Sequence, residues 1–168
     1  MSRVLGLLLL IAATASFGVM RSLELKRKPR ELQSMIEALT ILKHDVHSRT
    51  LPLPDALAHV AGMSDRDCRA FFLSVSDHLA TTKQSFSELW RDELSALDHL
   101  SREELDTLSD LGVHLGRYDA SAQADAIDAC IRMLTQHRLR SLEQARQYGK
   151  LYTGLGLTLG AMLAVILN

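Results

Sequence analysis

Leu32 to Val46 reads LQSMIEALTILKHDV, and its apolar members Leu32, Met35, Ile36, Leu39, Leu42 and Val46 keep the three-four spacing that lines one face of a helix. The run meets Leu51-Pro52-Leu53-Pro54, whose prolines forbid continuation and predict an extended turn near Thr50. Pro54 then opens a short helix through Leu57 and Val60 to Gly62. Downstream, three hydroxyl and carboxylate pairs three residues apart have the form of capping boxes: Ser64 with Asp67, Ser85 with Glu88, and Ser101 with Glu104. Behind them run three apolar faces: Cys68, Phe71, Phe72, Val75 and Leu79; Phe86, Leu89, Trp90 and Leu94; Leu105, Leu108, Leu111 and Leu115. Gly116, at ease with positive φ, is expected to end the third. A last helix is expected from Asp119 or Ser121 through Ile127, Ile131 and Leu134, past Ala145 and Tyr148, with no proline to interrupt it. No alternating stretch suggests a strand. The fold expected is all-α, a compact bundle of about six helices in one domain.

Outward from the bundle both ends turn apolar. Val4 to Met20 and Leu151 to Leu167 carry no charged side chain. Each gives about 25 Å of helix, just under the roughly 30 Å hydrocarbon core of a bilayer. The expected organisation is an N-terminal transmembrane helix within residues 1–20, a cytosolic bundle over 21–150, and a C-terminal transmembrane helix over 151–168. Met1 to Arg3, followed by the apolar run and Ala13-Thr14-Ala15, also fits a secretory signal peptide. Arg21, Lys26, Arg27, Lys28 and Arg30 argue against cleavage, because dense positive charge beside a span stays cytosolic. Arg138, Arg140, Arg146 and Lys150 repeat that signal before the second apolar run.

The formal charge of −1 hides a segregation of sign. Residues 31–136 hold 9 Lys or Arg against 18 Asp or Glu, a net of −9. A body this acidic repels phosphate backbones, so nucleic acid is not expected as a partner, whereas the basic collars suit anionic membrane lipid. Cys68 and Cys130 stand in apolar surroundings without a paired motif and read as buried free thiols. No phosphate-binding glycine loop, nucleophile elbow or metal-ligand spacing occurs, so neither catalysis nor a cofactor is expected. His44 and His47 could face one side as two ligands, but without a third at good spacing they read as a solvated helix end.

Candidate contact residues fall in two classes. Gly156, Gly160 and Ala164 recur every fourth residue in the second apolar run, and Ala12 with Ser16 offers a matching pair in the first. Such spacing lets helix backbones approach closely, either as a hairpin within one chain or as the seam of a homo-oligomer. Glu103, Glu104, Asp106 and Asp110 crowd one side of the helix that begins at Ser101, a docking face for a basic protein surface or a solubilising one. Turns carry function more often than packed faces, which adds Pro52, Leu53 and Pro54, and then Gly116, Asp119 and Gln123.

Taken in order, these features resemble the stage III sporulation protein AB family, membrane proteins of endospore-forming bacteria. The residues that carry the likeness are Lys28-Pro29-Arg30-Glu31-Leu32; Asp45-Val46 followed by Pro52-Leu53-Pro54-Asp55-Ala56; Leu111-Gly112-Val113-His114-Leu115-Gly116 leading to Asp119 and Gln123; and Lys150-Leu151-Tyr152-Thr153-Gly154-Leu155-Gly156 with Val165-Ile166-Leu167. Ser48, Arg49 and Leu51 depart from the family's Tyr, Gly and Thr. The resemblance implies a helical cytoplasmic domain like that of the F-type platform proteins of type II secretion and type IV pilus systems. It also implies a place in the mother-cell membrane around the forespore, within a channel complex of sporulation proteins and beside a secretion-type ATPase. The competing reading is a stand-alone membrane-anchored adaptor or regulator unconnected to sporulation.

Overall fold

The computed structural model describes residues 27–166 apart from 82, 98, 99 and 116–118, with side chains as far as Gln147 except that of Asp67. The apolar run from Val4 to Met20 and the glycine at 116 lie outside the described residues, as does the side-chain packing of Gly156, Gly160 and Ala164. Six helices and no strand occur among the described residues: α1 over residues 27–47, α2 Leu53–Met63, α3 Arg66–Thr81, α4 Phe86–Leu94, α5 Arg102–His114 and α6 Ala120–Ile166. The all-α expectation therefore holds. No helix of the described residues is long and apolar enough to cross a membrane. The two flanking transmembrane helices accordingly stay an expectation from sequence.

Two compact units divide the chain, Arg30–Arg138 and one made from its two ends. In the first, α2 packs on α3, α3 on α4 and α4 on α5. Leu32, Leu39 and Leu42 of α1, Leu57 and Val60 of α2, Phe72 of α3, Leu108 of α5, and Ile127 and Leu134 of α6 have no exposed surface. Burying each such side chain is worth about 1.5–3 kcal/mol. Lys43 on α1 donates to both carboxylate oxygens of Asp128 on α6, at 2.9 and 2.7 Å, joining residues far apart in sequence. The second unit keeps Ser141 and Ala145 of α6 buried.

At the centre stands Trp90, the one tryptophan, with no exposed surface. Phe71 and Phe72 meet it edge-on, with centroids 4.9 and 6.1 Å away, and Phe86 lies at 5.5 Å. Its indole N–H donates to the Leu108 carbonyl of α5 at 2.7 Å, so the polar end of this large ring is satisfied inside the core. The ring comes so close to α5 that a Cβ at Gly112 would lie 2.3 Å from Trp90 Cδ1. Gly112 is the one position in that helix whose missing side chain makes room for it.

The capping boxes expected at Ser85 and Ser101 form, and the one expected between Ser64 and Asp67 involves a side chain outside those described. The Glu88 carboxylate accepts from the Ser85 N–H at 3.1 Å and from its hydroxyl at 2.8 Å, and these bonds hold the acid below the usual carboxylate range. Glu104 accepts from the Ser101 N–H at 2.7 Å. The Ser64 hydroxyl donates back to the Val60 carbonyl at 2.7 Å, satisfying a group left over at the end of α2. Helix α3 starts at Arg66, with the Asp65 carbonyl accepting from Arg69 N–H at 2.7 Å, and the Asp65 carboxylate takes the Ser34 hydroxyl from α1.

Cys68 and Cys130 are buried and form no disulfide, as their surroundings in the sequence suggest. Burial, with Asp110 nearby, pushes the Cys130 thiol up to about 12. At pH 8 only about one such thiol in 10⁴ is ionised. Neither cysteine should react with a thiol-specific chromogenic reagent within minutes under native conditions, and both should react at once in denaturant. Rapid native labelling of Cys130 would contradict this packing.

Candidate docking interface

Three exposed features of the Arg30–Arg138 unit gather the residues singled out above. The first is the turn between α1 and α2. Helix α1 ends with Ser48 and Arg49 N–H groups donating to the His44 carbonyl, and Leu51 N–H donates to the Asp45 carbonyl at 3.0 Å. Thr50 between them sits at φ 53°, a left-handed conformation that costs a β-branched residue about 1–3 kcal/mol. Something must hold it there, and Asp45 does. Its side chain has no exposed surface, and its two oxygens take Arg49 Nη1 at 3.3 Å and His59 Nδ1 at 2.6 Å. The latch ties the end of α1 to α2 and presents Pro52 and Pro54 to solvent, with Leu53 half-buried against the core.

The second feature is the acidic face of α5. Glu103, Asp106 and Asp110 are exposed, whereas Glu104, expected on the same side, is 1 % exposed. Its carboxylate turns back onto the Ser101 N–H, and a residue spent on the helix start is removed from the surface. Glu103 stands 3.8 Å from His137 Nδ1 of α6. The third feature is the start of α6, where Asp119 Oδ1 accepts from the Ala122 N–H at 3.2 Å and caps the helix. The Asp119 carbonyl takes the Gln123 N–H at 3.0 Å, and the Gln123 side chain is half-buried. Asp119 thus has a structural duty that its place in the motif did not reveal.

Between α5 and α6 runs a groove of about 350 Å³ to which no local sequence signal points. Thr107, Leu111, Ala122, Ala126, Ala129, Cys130 and Met133 form its apolar lining, and Asp110 and His114 its polar edge. The helices are antiparallel here, because Thr107 meets Cys130 and Glu103 meets His137. His44 and His47 are exposed, and among the described residues no group of three metal-ligating side chains converges.

Comparison with known proteins settles the ancestry. A model of the family described as stage III sporulation protein AB matches residues 3–168. The chain belongs to that family. Stage III sporulation protein AB of Bacillus subtilis (strain 168) is 24% identical over 170 residues, covering 99% of each chain. A solved structure of a stage III sporulation protein AB superimposes with a TM-score of 0.62 at 26% identity, over 70% of this chain and 94% of that one. Within the stage III sporulation protein AB motifs, the physical duties now separate. Gly112 admits Trp90, Asp119 caps α6, Asp45 latches α1 to α2, and the Pro52 carbonyl takes the Ala56 N–H at the start of α2, while outside the motifs Asp106 and Asp110 stay exposed on α5.

Proposed function

We propose that this protein acts in sporulation as a membrane-held platform, a positioning component of a secretion-like channel complex between mother cell and forespore that docks a secretion-type ATPase. The family match across residues 3–168 carries the sporulation role. In this reading Val4 to Met20 and Leu151 to Leu167 span the mother-cell membrane, the basic collars sit at its anionic lipid surface, and the acidic bundle faces the cytoplasm. What supports docking over chemistry is the assignment of the polar residues. Asp45, Glu104 and Asp119 are spent on holding helices, whereas Glu103, Asp106 and Asp110 are laid out along one exposed side of α5. A rigid acidic face complements a basic surface and steers its approach.

Photo-cross-linking in sporulating cells tests this. A photoreactive residue placed at Pro54, Asp106 or Gln123 of the full chain should give cross-linked peptides from a secretion-type ATPase, which would also put the bundle in the cytoplasm. Glu103→Lys, Asp106→Lys and Asp110→Lys together should cut that yield about tenfold or more, a change of roughly 1.4 kcal/mol or above. Cross-links to lipid or to periplasmic proteins alone would end the platform reading.

A further inference from the structure

The groove between α5 and α6 is separate from the turns and has its own chemistry. Three alanines of α6, Ala122, Ala126 and Ala129, lie on one side of its lining, and Leu111 of α5 faces them. From Ala122 to Met133 is about 16 Å, three turns of helix. Short side chains at a helix surface let another helix approach toward the lower end of the roughly 8–10 Å interaxial range. Met133, half exposed at the end of the groove, is an adaptable apolar side chain with no place in the core.

The polar atoms of the floor are already engaged. The Thr107 hydroxyl donates to the Glu103 carbonyl at 2.8 Å, and the Cys130 thiol lies 3.9 Å from the Thr107 carbonyl as its donor. A small-molecule site needs a few convergent polar groups to orient its ligand, and this floor offers none from those two residues. The rim carries charge instead. Asp110 and, one turn earlier, Asp106 stand exposed on α5, and Asp125 stands exposed on α6 among the alanines. Arg132 is the basic exception on that side of α6. An anionic lipid headgroup is repelled by this rim, and a second copy of the same surface would set acid against acid.

We infer that the α5–α6 groove is the seat of a basic amphipathic helix from a partner protein, about three turns long, with its apolar stripe on Ala122, Ala126, Ala129 and Met133 and its lysines or arginines on Asp106, Asp110 and Asp125. The inference rests on the platform reading for its setting and names the chemistry of the partner's contact. Helix-in-groove recognition reads anchors at i, i+3 or i+4, and i+7, the spacing that the alanine row offers from the other side.

The probe is a synthetic 14-residue peptide of leucine and lysine with leucines at that spacing. Its control has the same leucines with glutamate for lysine. Full-length protein in nanodiscs of zwitterionic phosphatidylcholine, carrying ¹³C-methyl methionine, is titrated with each. The Met133 methyl signal should shift saturably with the lysine peptide, and the glutamate peptide should bind at least tenfold more weakly. Asp106→Lys with Asp110→Lys, both at exposed sites, should reverse that preference while leaving the thermal melt unchanged. Equal binding of the two peptides, a stationary Met133 signal, or indifference to the charge reversal overturns the inference. The platform reading is judged separately by the identity of cross-linked partners in cells. An ATPase captured at Pro54 with no peptide binding in the groove sinks the groove assignment alone, and a responsive groove with no ATPase captured sinks the platform alone.

Discussion

Replacing Gly112 by alanine should destabilise the protein by about 3 kcal/mol, at the upper end of what overpacking costs. In most helix interiors the same change stabilises by up to about 1 kcal/mol, because alanine is the better helix former. The sign reverses here because the new methyl would lie 2.3 Å from Trp90 Cδ1 and 2.7 Å from Cγ. Trp90 cannot yield. It is wedged by Phe71, Phe72 and Phe86 and anchored through its N–H to Leu108. Denaturant unfolding followed by circular dichroism measures the loss, with a fall in melting temperature on the order of 10 °C. The diagnostic arm is the same substitution in a Trp90→Leu background, where the obstruction is gone and Gly112→Ala should turn neutral or stabilising. A neutral Gly112→Ala in the unmodified chain would show that α4 and α5 are further apart than described.

His59→Ala should have the next largest effect, about 2–3 kcal/mol. Removing the donor of a buried carboxylate's hydrogen bond leaves that oxygen unsatisfied, at a cost of about 1–3 kcal/mol, and Asp45 has no exposed surface through which water could replace it. The loss arises at Asp45, left without exposed surface and with Arg49 Nη1 at the longer distance of 3.3 Å. Arg49→Ala should cost less than His59→Ala, because its contact is longer and its side chain is more exposed. The order of the two is the test. A larger loss from Arg49→Ala would mean that the guanidinium, not the imidazole, holds the α1–α2 junction. Either change should also loosen Thr50, whose left-handed backbone depends on the same junction.

Much of this architecture is readable one helix at a time. Leu32, Leu39 and Leu42 advertise the buried face of α1 through spacing alone, and Pro52 and Pro54 mark where it stops, since periodicity and proline are local signals. Ser85 and Ser101 begin helices as their carboxylate partners three residues on indicate. Ser64 fits the same pattern and serves the end of α2, because a hydroxyl between two helices can serve the end of one or the start of the next. What escaped the sequence is whatever depends on two distant segments meeting. Glu104 looks like its exposed neighbours until α5 is set against the core. His59 looks like any scattered surface histidine, and its tie to Asp45 exists only because α2 folds back on α1. The candidate contacts divide in the same manner. Exposed Asp106 and Asp110 were legible as acids on one face, whereas the groove beside them needs α6 antiparallel to α5.

The pairing of α2 with α3, α3 with α4 and α4 with α5 has a bearing on synthesis. Each helix finds its neighbour across a short stretch of chain, so closing each contact demands little loop entropy. The bundle can therefore be laid down in order as it leaves the ribosome, with Asp45 and His59 available to each other as soon as α2 has emerged. The ties to α6, Lys43 with Asp128 and Glu103 with His137 among them, must wait. Helix α6 comes last and seals the core with Ile127 and Leu134, and its apolar residues 151–166 are the last of it to emerge. Translation itself thus completes the pairings among α2 to α5 before α6 arrives to close the core over them.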